Sequence, residues 1–289
     1  MPAKDTDKPR LRPARAEDHP HFVRLFAELG IEDPPPSTEL WEAGLMGRSF
    51  FADGPGRPMA YATIDVLGQT GYVVNLVVEP EQRRRGMGRA VMDGLATWFQ
   101  EQGCREWMLY VRPDNVPALA LYQSLGMMAG RLETTWRVSR RQVETLPRAS
   151  GRLEVRSLTE ADLAPLTRAF GLIPGKLNRF AEHPETHWLR RLVDPERPEE
   201  VGGGWMWVRP REGVVRALFA ATPAHARVLL EAGFRELGDV DELRVVTGDV
   251  VLEARLGEAG ARVLLRTQEM RGPLPPEMKT PGREGPGRG

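Results

Sequence analysis

The sequence predicts an α/β fold on a mixed sheet, duplicated, with the second copy shortened. Three observations carry that prediction. Val73–Val78 is an apolar, β-branched run, read as a buried strand; it passes through Pro80 and the turn Arg83–Gly88 into a segment with Val91, Leu95, Trp98 and Phe99 on one helical face. Strand-like and helix-like segments alternate over residues 11–140 in the order β-α-α-β-β-β-α-β-α-β. Residues from Arg156 onward repeat the spacing of those from Arg12.

Taken in order, residues 1–10 are polar and expected to be mobile. Leu11–Arg15 is a short strand. Glu17-Asp18 opens a helix with Phe22, Val23, Phe26 and Leu29 on its apolar face, stopped by Gly30. Pro34-Pro35-Pro36 is a stiff connector, and Ser37 caps a second helix through Leu40, Trp41 and Leu45. Ser49–Ala52 and Met59–Leu67 read as strands around Asp53-Gly54-Pro55-Gly56. Gln69-Thr70-Gly71 turns into the Val73 strand, which Pro80 ends by withholding a ladder donor. Gly103 stops the long helix, Trp107–Val111 is the next strand, and Pro113-Asp114-Asn115 starts a short helix over Ala118–Leu125. Gly126 ends that helix, and Leu132–Val138 is a final strand. Residues 141–151 read as a linker, 152–271 as the second copy, and 272–289, rich in Pro and Gly, as a disordered tail. For Val250–Met270 the periodicity fits a strand pair or a helix.

The duplication rests on matched offsets. Arg12 precedes Asp18 by six residues, as Arg156 precedes Asp162; from these aspartates Phe22 and Leu166 match at +4, Arg24 and Arg168 at +6, Phe26 and Phe170 at +8. At the far end Leu125-Gly126-Met127 is aligned with Ala232-Gly233-Phe234. On that alignment the second copy is 37 residues shorter between these markers, about one strand plus one long helix, so it is expected to lack the strand and helix of the glycine turn. The same alignment puts Leu229 and Thr222 opposite Tyr122 and Asn115.

Composition narrows the function classes. The chain has 289 residues, 41% hydrophobic and 28% charged, with zero net charge, so no global field favours nucleic acid or a membrane surface. One cysteine, Cys104, excludes an intrachain disulfide and a cysteine-rich metal site. No apolar run approaches a membrane span, and a reducing cytoplasm is the expected compartment. His183, His187 and Trp188 sit at helical spacing, but two histidines without further ligands read as surface or packing residues, and no metal is expected.

The glycine turn carries the chemistry. Backbone N–H groups at the start of a helix are unpaired, and with the helix dipole they form an anion site; Gly86 and Gly88 keep Cβ atoms out of it. Two patterns here, Arg83-x-x-Gly86-x-Gly88 after a strand and Asn115-x-x-Ala118-x-x-x-Tyr122-x-x-x-Gly126-Met127, resemble in order and spacing the signatures of the GNAT superfamily of N-acetyltransferases, with Met127 where the family has Phe. The resemblance covers residues 11–140, and the two-domain layout is similar to that of mycothiol synthases. It implies a GNAT-type mixed sheet and acetyl-CoA as co-substrate, with no metal. The implied cofactor-binding residues are Leu76, Val77 and Val78 along the pantetheine arm, Arg83, Arg84, Arg85, Gly86, Met87, Gly88, Arg89 and Ala90 around the pyrophosphate, and Asn115 and Tyr122. The Arg84 side chain fits a phosphate contact and a solvated face equally well.

The implied reaction is direct attack of an amine on the thioester. Tyr122 is the implied acid for the departing thiolate, the Val78 N–H the implied oxyanion donor, and Glu79 the first candidate base, with Asp65, Glu133 and water as others. The acceptor is expected to be a small-molecule or peptide amine. The second copy is expected to be silent and to wall the acceptor cleft or replace a partner subunit, giving a monomeric internal pseudo-dimer, or a homodimer. The rival reading is a non-catalytic acyl-CoA-binding regulator.

Overall fold

The computed structural model describes residues 11–30 and 34–276; the expectations for residues 1–10 and for 277–289 lie outside the described residues. The chain forms two compact units. The first holds the described residues up to Leu109, then Ala120–Met128 and the described residues from Arg271; the second holds Tyr110–Leu119 and Ala129–Met270. This differs from the linear 11–140 and 152–271 division, because the last strand of the first copy belongs to the second unit and the end of the last strand of the second copy belongs to the first.

The first copy runs β1 (Leu11–Pro13), α1 (His19–Phe26), α2 (Thr38–Leu40), β2 (Ser49–Asp53), β3 (Pro58–Leu67), β4 (Thr70–Val78), α3 (Met87–Glu101), β5 (Glu106–Val111), α4 (Val116–Ser124) and β6 (Met128–Ser139). In the first unit the strands lie in the order β1-β2-β3-β4-β5, antiparallel up to β4 and parallel between β4 and β5. Ser37 caps α2 as expected, accepting from the Leu40 N–H, but the helix then widens into a π turn over Trp41–Leu45. That turn seats Trp41, fully buried, among Phe22, Phe51 and Tyr61, the aromatic core of this unit.

The stretch expected to be a linker opens with α5 (Arg140–Glu144), started by a reciprocal cap between Ser139 and Gln142. Val143 and Leu146 are buried in the core of the second unit, so the stretch up to Leu146 is packed structure, while residues 147–151 form no helix or strand. The second copy follows as β7 (Glu154–Ser157), α6 (Glu160–Ala169), α7 (Lys176–Ala181), β8 (Trp188–Val193), β9 (Gly204–Arg209), β10 (Val214–Ala220), α8 (Pro223–Leu237), β11 (Glu242–Thr247), α9 (Val250–Glu258) and β12 (Arg262–Pro273). The undecided 250–270 region is thus a helix followed by a strand, and Gly272 and Pro273, expected in the tail, close β12. Gly272 is required there: a Cβ would lie 2.5 Å from the Gly126 carbonyl oxygen.

The duplication holds, and its alignment changes. β7-β8-β9-β10 are successively antiparallel and β10-β11 parallel, the same series as β1 to β5. The counterpart of β4 is therefore β10, and that of α3 is α8; both helices have 15 residues. No strand or helix has been lost. Gly233, taken for a helix stop, lies buried inside α8. The true match to Asn115-x-x-Ala118-x-x-x-Tyr122-x-x-x-Gly126 is Asp249-x-x-Leu252-x-x-x-Leu256-x-x-x-Gly260. Asn115 and Asp249 each accept a helix-start N–H, and Gly126 and Gly260 are left-handed at φ +80 and +77. Buried Leu256 thus stands where the first copy has Tyr122.

Each copy also fixes its first helix with a buried aspartate. Asp18 accepts from the Arg15 N–H at 2.8 Å and from Arg12 at 2.7 and 2.8 Å; Asp162 accepts from the Thr159 N–H at 2.8 Å and pairs with Arg191 at 2.9 Å rather than with Arg156. Burial raises the Asp18 pKa, and the hydrogen bonds from Arg12 and Arg15 outweigh it, leaving the carboxyl below its usual range. A depressed folded pKa adds stability above the unfolded value near 3.9 and loses it as pH falls through the folded value. Asp18→Asn is expected to cost about 2 kcal/mol at pH 7 in urea unfolding. Its deficit against the native chain should shrink as pH falls below about 4.

Candidate active site

The site grows from β4. Val73, Val74, Val77 and Val78 favour the extended strand. Its pairing with β3 runs the whole length, from Leu67↔Thr70 to Ala60↔Val78, with a register shift between Thr63 and Ile64 that leaves Val74 as a bulge residue. On the other side, the register with β5 ends at Val73↔Leu109. A bulge adds local twist, so β4 turns away from β5 at that point and its last residues run on paired to β3 alone. The Glu79 N–H donates to the Met59 carbonyl at 2.8 Å, toward β3. Backbone groups alternate along a strand, so those of Val78 and Leu76 point to the opposite, open edge. The Val78 carbonyl accepts there from Arg83 Nε at 2.9 Å.

The turn that follows is conformationally specific. Pro80–Gln82 is a single 3-10 turn. Arg84 is left-handed at φ 62, alone in this among the described non-glycine residues, and Gly86 is left-handed at φ 85 as the residue before α3. A left-handed non-glycine residue costs about 1–2 kcal/mol, so the turn holds Arg84 against its preference. The Cβ position of Gly86 faces open space; Gly86 is required for its φ, not for crowding. Gly88 is the crowded one: a Cβ would meet the Leu121 Cδ2 atom at 3.3 Å and Val78 Cγ2 at 3.8 Å. The missing Cβ lets α4 settle on the first turn of α3, whose N–H groups have no carbonyl one turn back within the helix.

The arginines divide by role. The Arg83 guanidinium is committed to Val78 and to Glu28 at 2.7 Å, so it clamps turn to strand and is not aimed at an anion. Arg89 bonds Asp93 at 3.1 Å and Ser124 at 3.2 Å. Arg84 and Arg85 are exposed and make no ion pair among the described residues. Met87 is half-buried, and Ala90 N–H returns to the Gly86 carbonyl at 3.0 Å, the first closed helical bond.

Tyr122, on α4, is 7% exposed, and its hydroxyl makes no hydrogen bond among the described residues. Burial pushes its pKa up to about 12, so the phenol stays protonated and able to donate. Asn115 accepts from the Ala118 N–H at 3.3 Å and starts the helix. Glu79 departs from expectation. It is 5% exposed, and its Oε1 accepts from both Arg24 and Arg57, the latter at 2.7 Å. Arg24 also bonds the Pro58 carbonyl at 2.7 Å. A carboxylate clamped by two guanidinium groups anchors α1 and the β2–β3 turn to the end of β4, and only Oε2 is left to meet a proton. Neither arginine was found from the sequence; the one trace was the Arg24–Arg168 match.

The second copy shows what the turn adds. β10 carries the same bulge, at Arg216, and its register with β11 ends beside it at Val215↔Val245. Between β10 and α8, however, lie only Ala221 and Thr222, against residues 79–86 in the first copy. Thr222 caps the helix by accepting from the His225 N–H at 3.2 Å, and Pro223 removes another N–H. The shortening thus lies mainly in the turn, and the N-terminus of α8 is closed by its own cap. His187 stacks on Phe180 and Trp207 at 5.2 and 5.3 Å, as a packing residue does.

Residues 13–127 match the sequence model of the Acetyltransferase (GNAT) family. Over 71 residues the chain is 35% identical to the [ribosomal protein bS18]-alanine N-acetyltransferase of Escherichia coli strain K12, which is 25% of this chain and 48% of that protein. Over 67 residues it is 39% identical to the mycothiol acetyltransferase of Kocuria rhizophila, 23% of this chain and 22% of that one. The chain therefore spans half or less of the curated relatives it matches. In fold it is similar to a GCN5-related N-acetyltransferase from Sphaerobacter thermophilus, with a TM-score of 0.64, 21% identity, and 93% and 97% of the two chains covered. A tandem GNAT protein from the clavulanic acid biosynthesis pathway gives a TM-score of 0.59 at 15% identity, over 93% and 99%.

Gly86→Ala is expected to lower stability by about 1–2 kcal/mol through its left-handed φ alone. Gly88→Ala should cost less, since the atom 3.3 Å away is a movable leucine methyl. Denaturant midpoints of the two variants test the order.

Proposed function

We propose that the chain, which carries a GNAT acetyltransferase domain in residues 13–127, is an acetyl-CoA-dependent N-acetyltransferase whose working site is the β4–α3 turn of the first unit. The observation that carries this reading is the conjunction, within one unit, of an open strand edge at Leu76–Val78, a left-handed glycine turn ahead of α3, and a buried, protonated tyrosine on the helix packed against that turn. The residues fit the co-substrate. A pyrophosphate is matched by the N–H groups of the turn from Arg84 to Arg89, ahead of the first closed helical bond at Ala90, with the exposed Arg84 and Arg85 beside them. An amide-bearing arm is matched by the outward backbone groups of Leu76 and Val78, as an added strand would be.

Acetyl-CoA supplies the thioester carbonyl that an acceptor amine attacks. The Val78 N–H is placed to donate to a developing oxyanion, and Tyr122 to protonate the thiolate as the carbon–sulfur bond breaks. Glu79 changes role in this proposal, from candidate base to anchor. The second copy has no anion turn and has Leu256 where the acid stands, which supports a silent, supporting role. Among the described residues no helix is long and apolar enough to cross a membrane. The acceptor is a small-molecule or peptide amine.

Free-thiol release from acetyl-CoA, with a panel of amines, tests the reading. Tyr122→Phe is expected to lower release about 100-fold while keeping the acetyl-CoA-induced rise in melting temperature. A rise in melting temperature with no release from any amine would select the acyl-CoA-binding regulator instead. Because Tyr122 titrates near 12, release should show no alkaline limb from this group below about pH 11. Glu79→Gln separates anchor from base: an anchor loses stability and leaves the pH profile in place, whereas a base loses the acidic limb of the profile.

A further inference from the structure

The second unit holds a cavity that the proposed chemistry does not use. Its volume is about 500 Å³, and it lies between residues 148–153 and α8. Arg148 and Arg152 line it from the loop, Arg227 and Arg235 from the helix. Among the described residues of the lining, Glu231 alone is acidic. Four guanidinium groups against one carboxylate leave three positive charges in excess, in a chain whose net charge is zero. A concavity lined by one sign of charge focuses its field and draws ions of the other sign. Glu154, next to the lining, meets Arg152 at 3.3 Å but is shared with Arg156 at 2.7 Å. A second cavity of the same unit, of about 430 Å³, sets the contrast. Its three arginines face two glutamates; Arg137 lies 3.8 Å from Glu242, and Arg244 donates to the Glu212 carbonyl at 3.1 Å. There the charges nearly cancel.

The arginines of the first cavity are held in two different ways. Arg227, Glu231 and Arg235 recur every four residues, on one face of α8. Glu231 is spaced to pair with either arginine, and it accepts from Arg227 Nε at 2.7 Å. Arg227 Nη1 donates to the Glu144 and Leu146 carbonyls at 2.6 and 2.7 Å. The Arg227 side chain is only 11% exposed, so its guanidinium is fixed in place, while Nη2 keeps its donors without a partner among the described residues. Arg148 and Arg235 are exposed, and their side chains close no ion pair and no hydrogen bond among the described residues. Gly151, left-handed at φ +89, turns the loop between Arg148 and Arg152. Leu153 and Val228 also line the cavity and pack against the core of the unit, which ties the lining to a rigid base.

We propose that this cavity binds the oligophosphate group of a small molecule, with Arg227 as the fixed donor and Arg148 and Arg235 closing on the anion from loop and helix. Guanidinium groups arriving from two elements meet a tetrahedral phosphate from different directions, whereas a carboxylate offers two oxygens in one plane. Three excess charges call for more than one phosphate. The volume falls within the range of small-molecule sites, roughly 300–1,000 Å³. This site belongs to the second unit and does not rest on the acetyltransferase reading.

Calorimetric titration of inorganic tripolyphosphate into the full chain, at low ionic strength where screening is weak, tests the site. Saturable binding is expected, about tenfold or more tighter than that of orthophosphate. Arg148→Gln combined with Arg235→Gln should weaken it about tenfold or more. The same variant should keep its melting temperature, since neither side chain has a partner to lose among the described residues. Two controls locate the binding: Arg211→Gln in the balanced cavity, and Arg84→Gln with Arg85→Gln at the glycine turn, should each retain the component that the Arg148 and Arg235 variant loses. ATP offered in place of tripolyphosphate distinguishes the sources: tighter binding identifies a nucleotide, equal or weaker binding the phosphate chain itself. Absence of saturable binding, citrate binding as tightly as tripolyphosphate, or a loss in the Arg148 and Arg235 variant no greater than in either control would overturn the proposal.

Discussion

The unpaired edge of β4 is the constraint on which the first unit depends. A sheet strand that stops pairing in mid-course exposes backbone donors and acceptors, which costs stability unless water or another chain-like group satisfies them. Here the break is built in. The bulge at Val74 twists the strand, β5 diverges after Leu109, and Arg83 fastens the free end through the Val78 carbonyl. Glu79 holds the same end from the other side through Arg24 and Arg57. The strand end is thus rigid although it is half unpaired, which is the condition a preorganised recognition edge has to meet.

Much of this was legible in the sequence because it is local. A β-branched run, a proline, a glycine turn and a helical stripe occupy consecutive residues, and Asn115, Tyr122 and Gly126 start, occupy and stop one short helix. The partners of Glu79 were not legible: Arg24 and Arg57 are 55 and 22 residues away, and no periodicity relates them. The second copy was misaligned for a different reason. Gly233 and Gly126 look alike in sequence, but one is packed inside a helix and the other is a left-handed stop. Only φ tells them apart.

The two copies share one architecture and differ at the turn before the long helix and at the tyrosine. The strand series, the bulge on the fourth strand and the capping aspartates Asp18 and Asp162 recur in both. The glycine turn and the tyrosine do not. A bulged, diverging strand pair therefore forms without the glycine turn; the second copy closes its helix N-terminus with Thr222 and Pro223 and carries buried Leu256 at the position of Tyr122.

The exchange of terminal strands has a consequence for biogenesis. Arg271 pairs with Glu106 across 165 residues, and Gln100 bonds the Pro275 carbonyl across 175. These closures belong to the unit that holds the glycine turn, yet their partners are translated only at the end of the second copy. Contacts of such sequence separation form late and slowly. During synthesis, the sheet margin at Glu106 therefore stays open on the ribosome while the second copy emerges, so the lobe translated first is among the last to be completed.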